Sequence, residues 1–324
     1  MARADLLVSI VRAGSEGDRE RFRKAVEALA AEEREKRHGV LADKLEKSLR
    51  APDGTAVSTH PAHDERIRQL LTERVPRKTL DDLILPDTIS AACAELVEEQ
   101  HRVELLRSYG IEPRHRVLLA GTPGNGKTSL AEALAEKLVV PLLTVRYEGV
   151  IGSFLGETAQ RLRLIFDYVA TRRCVLFFDE FDAIGKERGD VHETGEIKRV
   201  VSSLLLQMDN LPSHVVVVVA SNHPELLDRA VWRRFQLRLE LPPPTQNAAE
   251  EWFRRLAEKL DAPLGRSPRS IAMQLKGLSF AEVEDFTADV ARRYVLGLPD
   301  SDLQRIVNTR LKQWKARFQP PKSE

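Results

Sequence analysis

The chain of 324 residues carries only two cysteines, Cys93 and Cys174, far apart and without CxxC or metal-ligand spacing. That scarcity argues against a disulfide framework and points to a reducing, cytoplasmic compartment. Long apolar runs are missing as well: no stretch approaches the roughly 20 residues of a membrane span, and the N-terminus has no h-region, so a soluble protein is expected. Nor is there an excess of charge of one sign. Lys and Arg number 50 against 49 Asp and Glu, a formal +1, a balance that gives no bulk case for a nucleic-acid or membrane partner. The basic cluster Arg305, Arg310, Lys312, Lys315 and Arg317 reads most simply as a solvated helix face. No HExxH motif, no nucleophile triad signature and no internal repeat occur. The chain is therefore not expected to be a peptidase itself.

What is present is organised in three parts. Residues 4–50 show three apolar stripes broken near Gly14 and Gly17, namely Leu6, Leu7, Ile10 and Val11, then Phe22, Val26 and Leu29, then Val40, Leu41, Leu45 and Leu49. This predicts a small helical module over 1–50, marginal alone, that packs on the main body, on sister copies or on a partner. Residues 51–64 have turn and linker composition, and the linker is placed over 51–78. From about 79 the pattern alternates strand and helix. Continuous apolar runs at 117–120, 142–145, 174–178 and 215–220 read as strands buried on both faces, hence an α/β fold with a doubly wound, mostly parallel sheet between helices over 79–244. A last strand, 236–241, alternates and is expected at an edge. After Pro242-Pro243-Pro244 the strands stop. Helical stretches near 246–260, 267–276, 280–296 and 301–317 predict an all-helical lid over 245–324.

The first apolar run feeds Gly121-Thr122-Pro123-Gly124-Asn125-Gly126-Lys127-Thr128, a G-x-x-x-x-G-K-T loop followed by Ser129 and an amphipathic helix. Such a loop turns successive backbone N–H groups on the phosphates of a nucleoside triphosphate. Lys127 reaches the β and γ oxygens, the Thr128 hydroxyl ligates Mg²⁺, and the helix points its positive end at the same anion. ATP with Mg²⁺ is the expected ligand. The third run ends in Asp179-Glu180, which resembles a Walker B element: Asp179 would hold the metal shell and Glu180 would orient the attacking water.

The motif order then continues through Ser153-Phe154-Leu155-Gly156-Glu157, Asp179-Glu180-Phe181-Asp182, Ala220-Ser221-Asn222 and 227–235, which reads LDRAVWRRF. Taken together it resembles the AAA family proper over roughly 79–318, including the second region of homology. The resemblance implies a single ATPase module that closes into a ring, usually a hexamer, with ATP at each subunit boundary. It implies that Asn222 is the sensor 1 residue and that Arg233 and Arg234 are arginine fingers reaching into a neighbour's site. Asp209 resembles the aspartate through which subunits sense one another's nucleotide, although Asn210 stands where relatives usually have glycine. The stretch 277–283 resembles the family's lid turn, with Glu282 for the usual aspartate and no sensor 2 arginine. Phe154, Leu155 and Gly156 match the pore loop that grips a polypeptide in the central channel, and a second pore loop is expected around 187–196.

The resemblance thus implies an ATP-driven remodeller that unfolds or extracts protein substrates, recruited through the N-terminal helices and able to feed a separate peptidase. A nucleic-acid-directed ATPase of the helicase-loader or transposition-helper type shares the same ATP site but would need a basic channel. An ATP-gated scaffold is the non-enzymatic alternative.

Overall fold

The computed structural model describes residues 19–35, 61–150, 155–182 and 194–317. It divides into two compact units, residues 1–65 and 66–324. In the first unit, α1 (Arg19–Glu35) buries Ala25, Val26, Leu29 and Ala30 along one face, the spacing of an amphipathic helix. The outer two stripes expected in the N-terminal module lie outside the described residues.

The second unit holds the sheet. In chain order its elements are α2 (Pro61–Leu70), which begins at the end of the first unit, β1 (Leu71–Arg74), α3 (Asp87–His101), α4 (Val103–Ser108), β2 (Arg116–Ala120), α5 (Lys127–Lys137), β3 (Leu142–Val145), α6 (Tyr147–Val150) and α7 (Leu155–Ala170). There follow β4 (Cys174–Phe178), α8 (Thr194–Asp209), β5 (Val215–Ser221), α9 (Arg229–Trp232) and β6 (Leu237–Glu240). The sheet order is β1-β3-β4-β5-β2-β6. Five strands run parallel, and β1 alone is antiparallel, paired with β3. All four apolar runs form strands. β6 occupies the expected edge with alternating buried and exposed positions.

Residues 61–74 fall in the segment expected as linker, yet they form α2 and an edge strand. Their polar composition hid them, because β1 reads Leu-Thr-Glu-Arg and buries only its first residue. An edge strand needs an apolar partner on one side only, so it lacks the continuous apolar signature of the central four.

Alternation along the strands builds two cores from one sheet. Leu143, Val145, Leu176, Phe178, Val217 and Val219 face α2, α7 and α8, while Val117, Leu119, Val175, Phe177, Val216 and Val218 face α3 and α5. A third core belongs to the C-terminal helices α10 (Gln246–Leu260), α11 (Pro268–Gln274), α12 (Phe280–Val295) and α13 (Leu303–Arg317), which match the four predicted stretches. Phe286 is its centre, in edge-on contact with Phe253 and Trp314 at ring separations of 6.0 and 5.6 Å. Thr245, Ser267 and Ser279 cap three of these helices, Ser279 through a reciprocal capping box with Glu282. No helix among the described residues is long and apolar enough to cross a membrane.

Both cysteines are free and buried, Cys174 at the start of β4 and Cys93 on α3 in the core packed against the sheet. Burial pushes the Cys93 thiol up to about 11 and the Cys174 thiol up to about 12. The native protein at pH 8 should therefore show no thiol reacting with an Ellman-type reagent on the minute scale, and both should titrate in denaturant. A fast-reacting native thiol would contradict this packing.

Candidate functional site

The carboxyl ends of β2, β4 and β5 open on one cleft of ≈ 300 Å³. Its floor is the loop between β2 and α5. Gly121, Gly124 and Gly126 have φ of +144°, +77° and +86°, a left-handed backbone that side chains rarely adopt. A Cβ on Gly121 would strike the Leu241 carbonyl oxygen, and one on Gly124 would come within 2.8 Å of Ser279 Oγ. Glycine is required at the first for close backbone approach and at the second for lid contact.

Lys127 opens α5 and is only 6% exposed. Its Nζ donates to the carbonyl oxygens of Gly121 at 2.6 Å and Thr122 at 3.0 Å. Burial pushes this ammonium below its usual range, against the opposing pull of Asp179, Asp182 and Glu180. Asn125 is buried beside it, with Nδ2 donating to Thr122 Oγ1 at 2.7 Å, while its Oδ1 has no partner. These groups form a cationic cradle lined with polar atoms that are unspent or easily re-paired, and a polyphosphate fits it.

Thr128 Oγ1 donates to Asp179 Oδ2 at 2.9 Å, which joins the loop to the end of β4. A hydroxyl and a carboxylate so placed are the oxygen pair that suits Mg²⁺ held jointly with phosphates. No cluster of three or more His, Cys, Asp or Glu among the described residues could hold a metal unaided, and a Mg²⁺–nucleotide site does not need one.

Glu180 follows with φ +47°, uncommon for a residue with a side chain, and its N–H donates to Asp179 Oδ1 at 2.9 Å. Asn222 lines the same cleft from the end of β5. Its N–H donates to Asp182 Oδ1 at 2.9 Å, and Ser221 Oγ donates to the same oxygen at 3.0 Å. Burial acts to raise the Asp182 carboxyl, but these two donors hold it below its usual range. Asp182 thus ties the end of β4 to the end of β5, and sequence reading did not single it out.

The remaining wall also escaped sequence reading. Leu83, Ile84, Leu85 and Pro86 line it from the chain ahead of α3, and Trp252 and Phe280 from the lid. The two rings lie 5.9 Å apart. Apolar residues without periodicity in an irregular segment give no motif, so only the fold reveals that they meet the loop. The lid is bonded to that loop directly: Ala281 N–H donates to the Gly124 carbonyl at 2.9 Å.

Neither Arg233 nor Arg234 lines the cleft. Arg233 is exposed. Arg234 pairs with Asp209, which also accepts from Arg116 Nη1. Gly156 is exposed at the start of α7, whereas Phe154, the Leu155 side chain and most of the second expected pore loop lie outside the described residues.

A mostly parallel sheet in which β2 runs into a phosphate-accepting glycine loop, with an acidic pair at the end of β4 across the intervening β5, and a helical lid, defines a P-loop nucleotide-binding protein. The chain belongs to the AAA family of ATPases. The model of the ATPase family associated with various cellular activities matches residues 117–243. An uncharacterized AAA family ATPase, y4kL, of Sinorhizobium fredii is 36% identical over 290 residues, spanning 88% of this chain and 87% of that protein. A putative 26S proteasome regulatory subunit homolog of Methanothermobacter marburgensis is 30% identical, over 76% of this chain and 67% of that protein. An ATP-dependent zinc metalloprotease FtsH 1 of Salinibacter ruber is 33% identical over 66% of this chain, and the matched region is only 32% of its length. Our chain is accordingly an ATPase.

The loop geometry separates two kinds of glycine. Gly126→Ala meets nothing within 4 Å and should lose only the left-handed backbone term, about 1–2 kcal/mol. Gly124→Ala adds a collision with Ser279 and should lower the thermal midpoint further. Equal midpoints for the two variants would count against the lid contact.

Proposed function

We propose that this ATPase remodels proteins: a homo-oligomeric ring, of six subunits by family resemblance, that threads a polypeptide through its centre. The observation that carries the ATP-site half of this reading is the convergence of the glycine loop, Asp179, Glu180 and Asn222 on one cleft. In the proposed mechanism the backbone N–H groups of Thr122 and of residues 124–129, Pro123 having none, and the Lys127 ammonium hold the phosphates. Thr128 and Asp179 hold Mg²⁺, which when bound neutralises charge developing on the phosphate oxygens. Glu180 positions and polarises the attacking water, and Asn222 bonds the terminal phosphate or that water. Arg233 and Arg234, which stand away from their own cleft, act on a neighbour's.

The remodelling half rests on the Phe154-Leu155-Gly156 motif and on the kinds of protein the chain is similar to. An aromatic side chain in a pore packs on any polypeptide without reading its sequence. Substrate choice and recruitment fall to residues 1–50, and any coupled proteolysis to a separate peptidase, since this chain has no HExxH motif. The near-neutral formal charge gives no support to a nucleic-acid channel. A cytoplasmic location accords with the two buried free thiols.

Two variants test the halves separately. Glu180→Gln should bind ATP and accumulate the ATP-bound oligomer while turnover falls at least about a hundredfold, the scale of losing a positioned proton acceptor. Near-normal turnover would sink the assignment. Phe154→Ala should keep ATPase activity within a few-fold while unfolding of a tagged protein client collapses, and Phe154→Tyr should retain most of it. Intact client processing in Phe154→Ala, or DNA-stimulated ATPase activity lost by that change, would move the chain to the nucleic-acid class.

A further inference from the structure

The cleft contains a second cation that no motif supplies. Lys78 lies in the segment ahead of the apolar wall, and that segment is tied to the loop helix: the N–H groups of Arg77 and Lys78 donate to Glu132 Oε1 at 2.9 and 3.3 Å. The side chain reaches over the first turn of α5. There Lys78 Nζ donates to Ser129 Oγ at 3.0 Å, two residues beyond Lys127, and Glu284 Oε1 of lid helix α12 stands 3.8 Å away. Lys78, Ser129 and Glu284 all line the cleft, and among its lining residues the only cations are Lys78 and Lys127.

The position is chemically specific. Lys78 touches the loop helix at one end and belongs to the segment that supplies Leu83, Ile84 and Leu85 at the other. A nucleotide with its base against the apolar wall and its terminal phosphates in the glycine loop carries its nucleoside-proximal phosphate across that junction. The existing partner is a weak one, because the ion pair with Glu284 is beyond hydrogen-bond length and its side chains are 40% and 54% exposed. A phosphate oxygen at hydrogen-bond distance from an ammonium is the stronger partner.

We propose that Lys78 binds the nucleoside-proximal phosphate and exchanges Glu284 for it, so that nucleotide entry releases a contact between the lid and the segment joining β1 to α3. This rests on the reading of the cleft as the ATP site. It assigns to Lys78 both a share of affinity for ATP and ADP alike and a link between occupancy and lid position.

Calorimetric titration of ADP and of MgATP into the full chain tests it, with Lys78→Gln, Lys78→Arg and Glu284→Gln beside the parent. Lys78→Gln keeps a donor for Ser129 and removes the charge, so it should fold normally and weaken both nucleotides about tenfold. Lys78→Arg should recover most of that loss. Glu284→Gln frees the ammonium and should bind as tightly as the parent or up to about fivefold tighter. If Lys78 were only a strap for the lid, Glu284→Gln would weaken binding as much as Lys78→Gln, and that result overturns the proposal. Lys78→Gln affinity within twofold of the parent overturns it too. A parent chain that binds neither nucleotide would instead refute the reading of the cleft, and this inference with it.

Discussion

The nucleotide cleft is arranged around a buried lysine ammonium. Lys127, 6% exposed, is held by two carbonyl oxygens of its own loop. An unpaired charge at that depth would be costly, so the loop must fold back to meet it. That curl is what places left-handed glycines at 121, 124 and 126. It also requires β2 to deliver the chain from a fully buried position, which the sheet provides by flanking β2 with β5 and β6. The same carbonyls are modest partners for a cation. A polyphosphate is a far better one, so the loop is built to exchange an internal bond for a ligand.

The carboxylates just beyond β4 follow from that demand. Asp179 accepts from Thr128, Glu180 turns out in a left-handed conformation, and Asp182 gathers the donors of Ser221 and Asn222. The end of β4 is thereby fixed to the loop helix and to the end of β5 by side chains rather than by the sheet ladder alone. The lid joins through Ala281 N–H to the Gly124 carbonyl and through Lys78 to Glu284. Loop, strand ends and lid share so many atoms that a ligand in the cleft meets all three, the condition for hydrolysis to move one part against another.

Much of this was legible in the chain alone, for physical reasons. Strands buried on both faces must be continuous apolar runs, so β2, β3, β4 and β5 announced themselves, and β6 showed its edge position by alternating. A phosphate loop must combine glycines, lysine and a hydroxyl at fixed spacing, which leaves little room for chance. Where the demand is weaker the pattern fades. β1 and α2 were hidden because an edge strand of four residues, Leu-Thr-Glu-Arg, needs only one buried side chain. Leu83 to Pro86, Trp252, Phe280 and Lys78 could not be anticipated, since each reaches the cleft only after the chain has folded. Asp182 sat in plain view beside Asp179 and Glu180, but its role depends on β5 lying next to β4. The arginines 233 and 234 were legible as a pair. Their separate surroundings, one exposed and one joined to Asp209, were not.

Lys127 is kept buried for its ligand rather than for the fold. Thermal unfolding of the parent and of Lys127→Ala, each with and without saturating MgATP, tests it in one measurement. The two apo proteins should unfold within a few degrees of each other, and MgATP should raise the parent's midpoint while leaving that of Lys127→Ala where it was. An apo Lys127→Ala that fails to fold, or one stabilised by MgATP as strongly as the parent, would contradict it.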